Sequence, residues 1–338
     1  MRFIGSKRLL LKNIEEIIHQ NIKEYKNLET FCDIFSGTSV VGQHFKPSFK
    51  IISNDLLYFS YCIQSANIKL NSRPKFSKLE KEVGDVVKYL NNNLKKKGFI
   101  YKNFSPTDSN ERKYLSNDNA CRIDGVRIEI EKWYKNKIIN LEEYLYLISI
   151  IIEATPFVSN IAGTYGAYLK NWDKRSFKKI EFIPPSIINN NKKNECYNEN
   201  SNDLILNIEG DILYIDPPYN SRQYLPNYHL LETIAKYDDP ILKGKTGLRN
   251  YEDQKSNYCN KSYAMDALDD LISNANFKYV LLSYNTDGII EENNLNKLMK
   301  KYSSNIYKKT KIPYRRYKKD KNGRIDQLHE LLFLISKK

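Results

Sequence analysis

The sequence predicts an α/β protein, a Rossmann-like doubly wound sheet carrying a mostly helical insertion. Three stretches lead to that expectation. Thr30-Phe31-Cys32-Asp33-Ile34-Phe35 reads as a strand that runs through Ser36-Gly37-Thr38-Ser39 into a helix start at Val40-Val41-Gly42, the opening βα unit of such a sheet. Ile212-Leu213-Tyr214-Ile215 is an apolar run fit for a buried strand, and it stops at Asp216-Pro217-Pro218-Tyr219. From about residue 71 the composition turns polar and then helical before strand patterns return near residue 175, which marks an insertion at 71–174 within a sheet domain formed by 1–70 and 175–338.

Taken in order, residues 8–26 place Leu10, Leu11, Ile14, Ile17, Ile18 and Ile22 at helical spacing. The glycine turn after the first strand lets a backbone approach a ligand closely, and the helix that follows offers free N–H groups. Lys50-Ile51-Ile52-Ser53 is a second strand, and Asp55 at its tip stands about 20 residues beyond the glycine turn, the position from which an acid reaches ribose hydroxyls. These features indicate a nucleoside ligand; a nicotinamide cofactor would fit them as well. In the insertion, residues 124–153 read as two helices, and the Gly- and Tyr-rich stretch Thr155–Trp172 reads as a loop at a nucleic-acid cleft or as structural packing. Ile180–Ile183 and Cys196–Asn198 are expected strands. Asn200 then faces a cofactor base, and Asp203 caps a short helix. Tyr228–Ile234 and Ala264–Ser273 read as helices, and Tyr279–Tyr284 as a buried strand. Ile306–Ile312 and Leu331–Ile335 form a strand pair around a basic segment.

The chain has 338 residues and a formal charge of +14, which suits a polyanionic partner. Heavy use of Lys, Asn, Ile and Tyr also follows from AT-rich coding, so local clustering is the better sign. Lys308, Lys309, Lys311, Arg315, Arg316, Lys318, Lys319, Lys321 and Arg324 crowd one segment with Tyr307, Tyr314 and Tyr317 interleaved, a pattern that suits phosphate contact with stacking, although a solvated hairpin face would look the same. Five scattered cysteines without a Cys-x-x-Cys pair suit a reducing compartment and argue against a zinc site. His229 lacks partners at metal-ligand spacing, and no metal is expected. The amino terminus lacks the core of a signal peptide and no apolar run spans a bilayer, so the expected setting is the cytoplasm, away from membranes.

The turn at 216–219 carries the chemistry. Two prolines fix φ and remove two backbone donors, so a carboxylate, free carbonyls and a ring are held together at the carboxyl end of a strand, where open α/β sheets bind ligands. That set suits an exocyclic amine such as adenine N6. Asp216 and the Pro217 carbonyl would each accept one N–H, the nitrogen lone pair would localise for attack on a methyl group, and Tyr219 would stack on a base taken out of its helix.

Together these pieces resemble the Dam-like, D12-class DNA adenine-N6 methyltransferases of the α group, restriction-modification type. Phe3-Ile4-Gly5-Ser6-Lys7 is similar to that family's amino-terminal cofactor motif, Asp33-Ile34-Phe35-Ser36-Gly37-Thr38 to its cofactor loop, Asp55 to its ribose-binding acid and Asp216-Pro217-Pro218-Tyr219 to its catalytic motif. The resemblance implies S-adenosylmethionine as methyl donor, held by Ile4, Gly5, Lys7, Asp33, Phe35, Ser36, Gly37, Thr38, Asp55, Asn200 and Asp216. It also implies a flipped adenine in double-stranded DNA as acceptor, and the insertion as target-recognition domain. Arg222, Tyr224, Arg315, Arg316 and Lys318 are the expected DNA contacts, with monomeric action and a cognate restriction endonuclease as partner. Two departures stand out. Position 39 is Ser where the pattern has a second glycine, and position 200 is Asn where an acid is common. Cytosine-N4 methylation and a non-catalytic DNA-binding module that kept the fold remain alternatives; protein-glutamine methylation fits less well, because it would prefer Asn at 216.

Overall fold

The computed structural model describes residues 5–92, 94–314 and 328–338. The chain divides into two compact units. One comprises 7–56, 192–223 and 255–338; the other comprises 1–6, 57–191 and 224–254.

The first unit is built on one sheet of seven strands: β1 (Thr30–Asp33), β2 (Lys50–Asn54), β3 (Glu195–Tyr197), β4 (Glu209–Ile215), β5 (Asn276–Asn285), β6 (Ser303–Tyr314) and β7 (Leu328–Lys337). Their spatial order is β3-β2-β1-β4-β5-β7-β6. The first five pair in parallel, and β7 lies antiparallel to both β5 and β6. The chain steps outward from β1 to β2 and later returns to β4 on the other side of β1, so the strand order reverses between β1 and β4. In an open sheet that reversal opens a crevice at the carboxyl ends of the two strands. Ile212, Leu213, Tyr214 and Ile215 of β4 are all buried, as expected of a central parallel strand covered on both faces. Helices Leu268-Leu271-Ile272 and Leu295-Leu298-Met299 supply buried side chains to the core that includes β4, β5 and β7.

The second unit has its own core. Helices Tyr58–Gln64, Asn117–Lys135, Leu141–Ala154 and Leu225–Lys236 enclose it, together with shorter helical turns. The 71–174 insertion read from the sequence falls inside this unit, whose chain extends further, to 57–191 and 224–254.

Two local expectations are corrected. Ile180–Ile183 does not join a sheet. Ile180 and Phe182 are buried as the alternation suggests, but their backbone pairs with side-chain amides. Asn119 accepts the Ile180 N–H at 3.0 Å, and Asn91 accepts the Phe182 N–H at 3.0 Å and donates to the Phe182 carbonyl at 2.9 Å. Asp203 does not cap the helix Ser201–Leu204 either. It lies in the first turn, and the cap is Asn200, whose side-chain oxygen accepts the Asn202 N–H at 2.9 Å. The first of the two insertion helices begins at Asn117, seven residues before the expected start at 124, because Ser116 caps it. Helices Tyr58–Gln64 and Glu292–Tyr302 were not anticipated.

Candidate active site

Asp33 ends β1, Asn54 ends β2, and Asp216 follows the last residue of β4. The register sets Asp33 beside Tyr214, so acids stand at the carboxyl ends of both strands that flank the reversal. After β1 the chain turns through Gly37 at φ 53° and Ser39 at φ 61° into the helix Val40–Phe45. The Gly42 N–H donates to Asp33 Oδ2 at 3.3 Å, and the Gly37 N–H donates to Asp55 Oδ2 at 2.8 Å. The Ser36 N–H donates to the Asn54 carbonyl at 2.9 Å. Asn54 in turn donates through its amide to the carbonyls of Ile34 and Glu199. The tip of β2 therefore ties the turn of β1 in place. Asp33 Oδ1 and Ser39 Oγ are buried without a hydrogen-bond partner among the described residues. Burial, with the charge of Asp216 added, pushes the Asp33 carboxyl from 3.8 up to about 8, against the Gly42 N–H.

At the end of β4, Lys7 is buried between two carboxylates. Its Nζ lies 3.0 Å from Asp216 Oδ1 and 2.6 Å from Glu330 Oε1, and Ser283 Oγ donates to the same Glu330 oxygen at 2.7 Å. Burial raises the Asp216 carboxyl above its ordinary range while Lys7 opposes the rise and Glu330 adds to it. Burial alone would lower the Lys7 ammonium, yet Asp216 and Glu330 together carry it above its usual value. The Lys7 ammonium also stands 5.7 Å from the centre of the Tyr219 ring. That ring meets Tyr284 edge-on at 6.1 Å. The loop after β5 fixes both tyrosines: the Ile289 N–H donates to the Tyr219 carbonyl at 2.8 Å, and the Ile290 N–H to the Tyr284 hydroxyl at 3.2 Å. Gly288 leaves room for this packing, because a Cβ there would come within 2.3 Å of the Tyr284 ring.

Of the residues singled out in the sequence, Lys7, Asp216 and Tyr219 meet at one point, with Pro217 buried and Pro218 half-buried in the turn between them. Asp33, Ser36, Gly37 and Asp55 form the neighbouring turn described above, with Thr38 half-buried in it and Phe35 packed edge-on against Tyr258 at 5.0 Å. Asn200 is exposed, with its oxygen engaged as a helix cap. Arg222 is exposed. Gly5, at φ 76°, and Tyr224 belong to the other unit, where the Tyr224 hydroxyl would lie 3.3 Å from a Cβ at position 5. Ile4, Arg315, Arg316 and Lys318 lie outside the described residues. Within the basic segment, Lys309 and Lys311 both pair with Glu292, and the Tyr307 hydroxyl donates to Asn296 at 2.8 Å. Glu330 and Ser283 were missed. The available signal was a lone acid leading the apolar run Leu331–Ile335, since a carboxylate in a buried strand requires a cationic partner.

A doubly wound sheet with an antiparallel edge pair, bearing acids on both sides of its order reversal, is the fold of the S-adenosylmethionine-dependent methyltransferases. The chain belongs to the D12 class of N6 adenine-specific DNA methyltransferases, whose family model matches residues 3–298. It is 46% identical over its whole length to the type II methyltransferase M.FokI of Planomicrobium okeanokoites and 43% identical to the modification methylase StsI of Streptococcus sanguinis. It spans about half the length of each, 53% and 52%. It is also 36% identical to the type II methyltransferase M.NlaIII of Neisseria lactamica, of which it covers 99%. Among the described residues no helix is long and apolar enough to cross a membrane.

Proposed function

We propose that this chain methylates N6 of a flipped adenine at a specific site in double-stranded DNA, with S-adenosylmethionine as donor. The observation that carries this is the Asp216 carboxylate, held by Lys7 at the end of β4 on the order reversal and followed at once by Pro-Pro-Tyr. The family and the modification methylases it resembles support the same reading.

The residues present suit the donor. Asp33 offers a buried oxygen with no partner among the described residues, and Asp55 stands at the tip of the next strand beside the Gly37 turn. Acids in those places accept hydrogen bonds from hydroxyl and amine groups of a nucleoside. When bound, S-adenosylmethionine supplies an electrophilic methyl group. Asp216 accepts one N–H of the adenine amine and the Pro217 carbonyl accepts the other, which draws the nitrogen towards tetrahedral geometry and localises its lone pair. Because the turn is fixed by two prolines, the acceptors are preorganised rather than recruited. Tyr219 stacks on the base, its ring already set against Tyr284 and its backbone carbonyl held by the Ile289 N–H. Formation of the N6–methyl bond would break the methyl–sulfur bond of the donor, whose electron pair would stay on sulfur as a neutral thioether, and the extra proton on nitrogen would leave to solvent, so no strong base is required.

We assign the reading of DNA to the unit that contains residues 71–174, with Arg222 and Tyr224 as contacts from the segment after the motif. Bidentate side chains in the major groove would supply sequence choice. The protein acts as a monomer in the cytoplasm, a setting that suits its five free thiols. Its methylation would shield sites from a cognate restriction endonuclease.

The test is methylation-sensitive long-read sequencing of DNA from cells expressing the wild type or Asp216→Ala. N6-methyladenine in one sequence context, present only with the wild type, is the expected result. N4-methylcytosine in its place would overturn the choice of base, and no modification at all would sink the reading.

A further inference from the structure

The acid of the Asp-Pro-Pro-Tyr turn does not stand alone, and its support comes from the far end of the chain. We propose that Glu330 is a positioning residue for methyl transfer: it holds the Lys7 ammonium in place against Asp216 and tunes the charge that Asp216 presents to the amine. This rests on the role given to Asp216 above.

Glu330 is 2% exposed on β7, opposite Asn285 of β5 and Ile312 of β6, at the head of five consecutive buried apolar residues, Leu331–Ile335. Nothing in the architecture of a strand needs a carboxylate there, and a buried carboxylate persists only when it is paired. Its partners are Lys7 and Ser283, both on Oε1. Lys7 bridges onward to Asp216, so one ammonium serves two carboxylates. Among the described residues, the groups that face Asp216 are Lys7 from the helical turn Lys7–Leu9, Glu330 from β7, Tyr214 from its own strand and Asp33 from the end of β1, while Tyr219 beyond the prolines lies beside Lys7. Among the described residues Lys7 is the one cation in that set, and Glu330 takes a share of it.

Two consequences follow for Asp216. Glu330 fixes where the ammonium sits, and hence which Asp216 oxygen is engaged and which is left to accept an N–H. Glu330 also keeps Lys7 from neutralising Asp216 completely, which leaves its carboxylate a stronger acceptor than a simple ion pair would be. A like charge nearby raises a carboxyl pKa and an undivided cation lowers it. Removing the Glu330 charge therefore acts in one direction on both counts, and Asp216 should lose its proton at lower pH.

The experiment is the pH profile of kcat/KM for the full chain, with tritiated S-adenosylmethionine and unmethylated plasmid DNA. Asp216 must be ionised to accept the N–H, so activity rises with pH through its titration. Glu330→Gln keeps the shape and should move that acid limb down by about one pH unit or more, with a lower kcat and little change in KM for DNA. Ser283→Ala removes a hydrogen bond but no charge and should leave the limb in place. A Glu330→Gln limb that coincides with wild type overturns the proposal, whatever the rate. If Glu330→Gln fails to fold, Glu330→Asp decides. It keeps the charge but withdraws it by one methylene, so an unmoved limb with reduced kcat supports positioning, and a wild-type kcat overturns it. Absence of N6-methyladenine from the wild-type reaction would instead defeat the proposed function, before any variant is compared.

Discussion

Ser39 occupies a place where its side chain is a burden. Its φ of 61° lies in the left-handed region, which costs an L-residue about 1–2 kcal/mol, and its buried hydroxyl has no partner among the described residues, which costs about 1–3 kcal/mol more. Glycine would remove both penalties and give back roughly 0.5–1 kcal/mol in unfolded-chain entropy. Ser39→Gly is therefore expected to stabilise the ligand-free protein by about 1 kcal/mol or more, seen as a higher midpoint in thermal denaturation. A lower midpoint would mean that the hydroxyl is satisfied after all. The conflict was visible in the sequence as a serine where the turn pattern has glycine. The outcome was not, because pattern alone does not say whether the backbone bends away or takes the strained conformation.

Individual elements are held by single polar side chains reaching across from other segments, and these escape a reading based on periodicity. Asp124, buried in the helix Asn117–Lys135, accepts the N–H groups of Gly98, Ile100 and Tyr101 and the hydroxyl of Tyr237. It thereby satisfies the amino-terminal donors of the short helix Phe99–Phe104, whose cap position is a glycine with no side chain to offer. Asp124→Ala strands those donors in a closed core and should cost about 3–5 kcal/mol. A urea titration would measure it, and a loss below about 1 kcal/mol would show that water replaces the carboxylate. The same logic explains what the sequence conceals. Strands β1, β2, β4 and β5 were legible because their neighbours are strands and their burial is continuous. Ile180 and Phe182 carry the same alternation, but Asn91 and Asn119 serve their backbone from more than fifty residues away, and nothing local announces that. The candidate site divides in the same way. Asp216, Tyr219, Gly37 and Asp55 lie in contiguous motifs at strand ends, whereas Glu330 reaches Lys7 across 323 residues of chain.

For the whole molecule, the formal charge of +14 has two readings, a surface shaped for DNA or the by-product of lysine-rich coding, and ionic linkage separates them. Each phosphate neutralised on duplex DNA adds about −0.9 to the slope of log K against log salt. Glu292 is a useful probe, because it lies on the helix before β6 and holds both Lys309 and Lys311. If the basic strand pair meets DNA, Glu292→Gln releases two cations for phosphate contact. Affinity for a duplex should then rise several-fold at low salt, and the slope should steepen by about one to two. If the pair is a solvated face, freeing those lysines changes neither quantity, since charges farther from the duplex than a Debye length, about 10 Å in 0.1 M salt, are screened. Fluorescence anisotropy across a salt series, with wild type and variant side by side, distinguishes the two. A steepened slope places the carboxyl-terminal strands at the DNA backbone; an unchanged slope leaves that work to the other unit and makes the excess charge of this segment compositional.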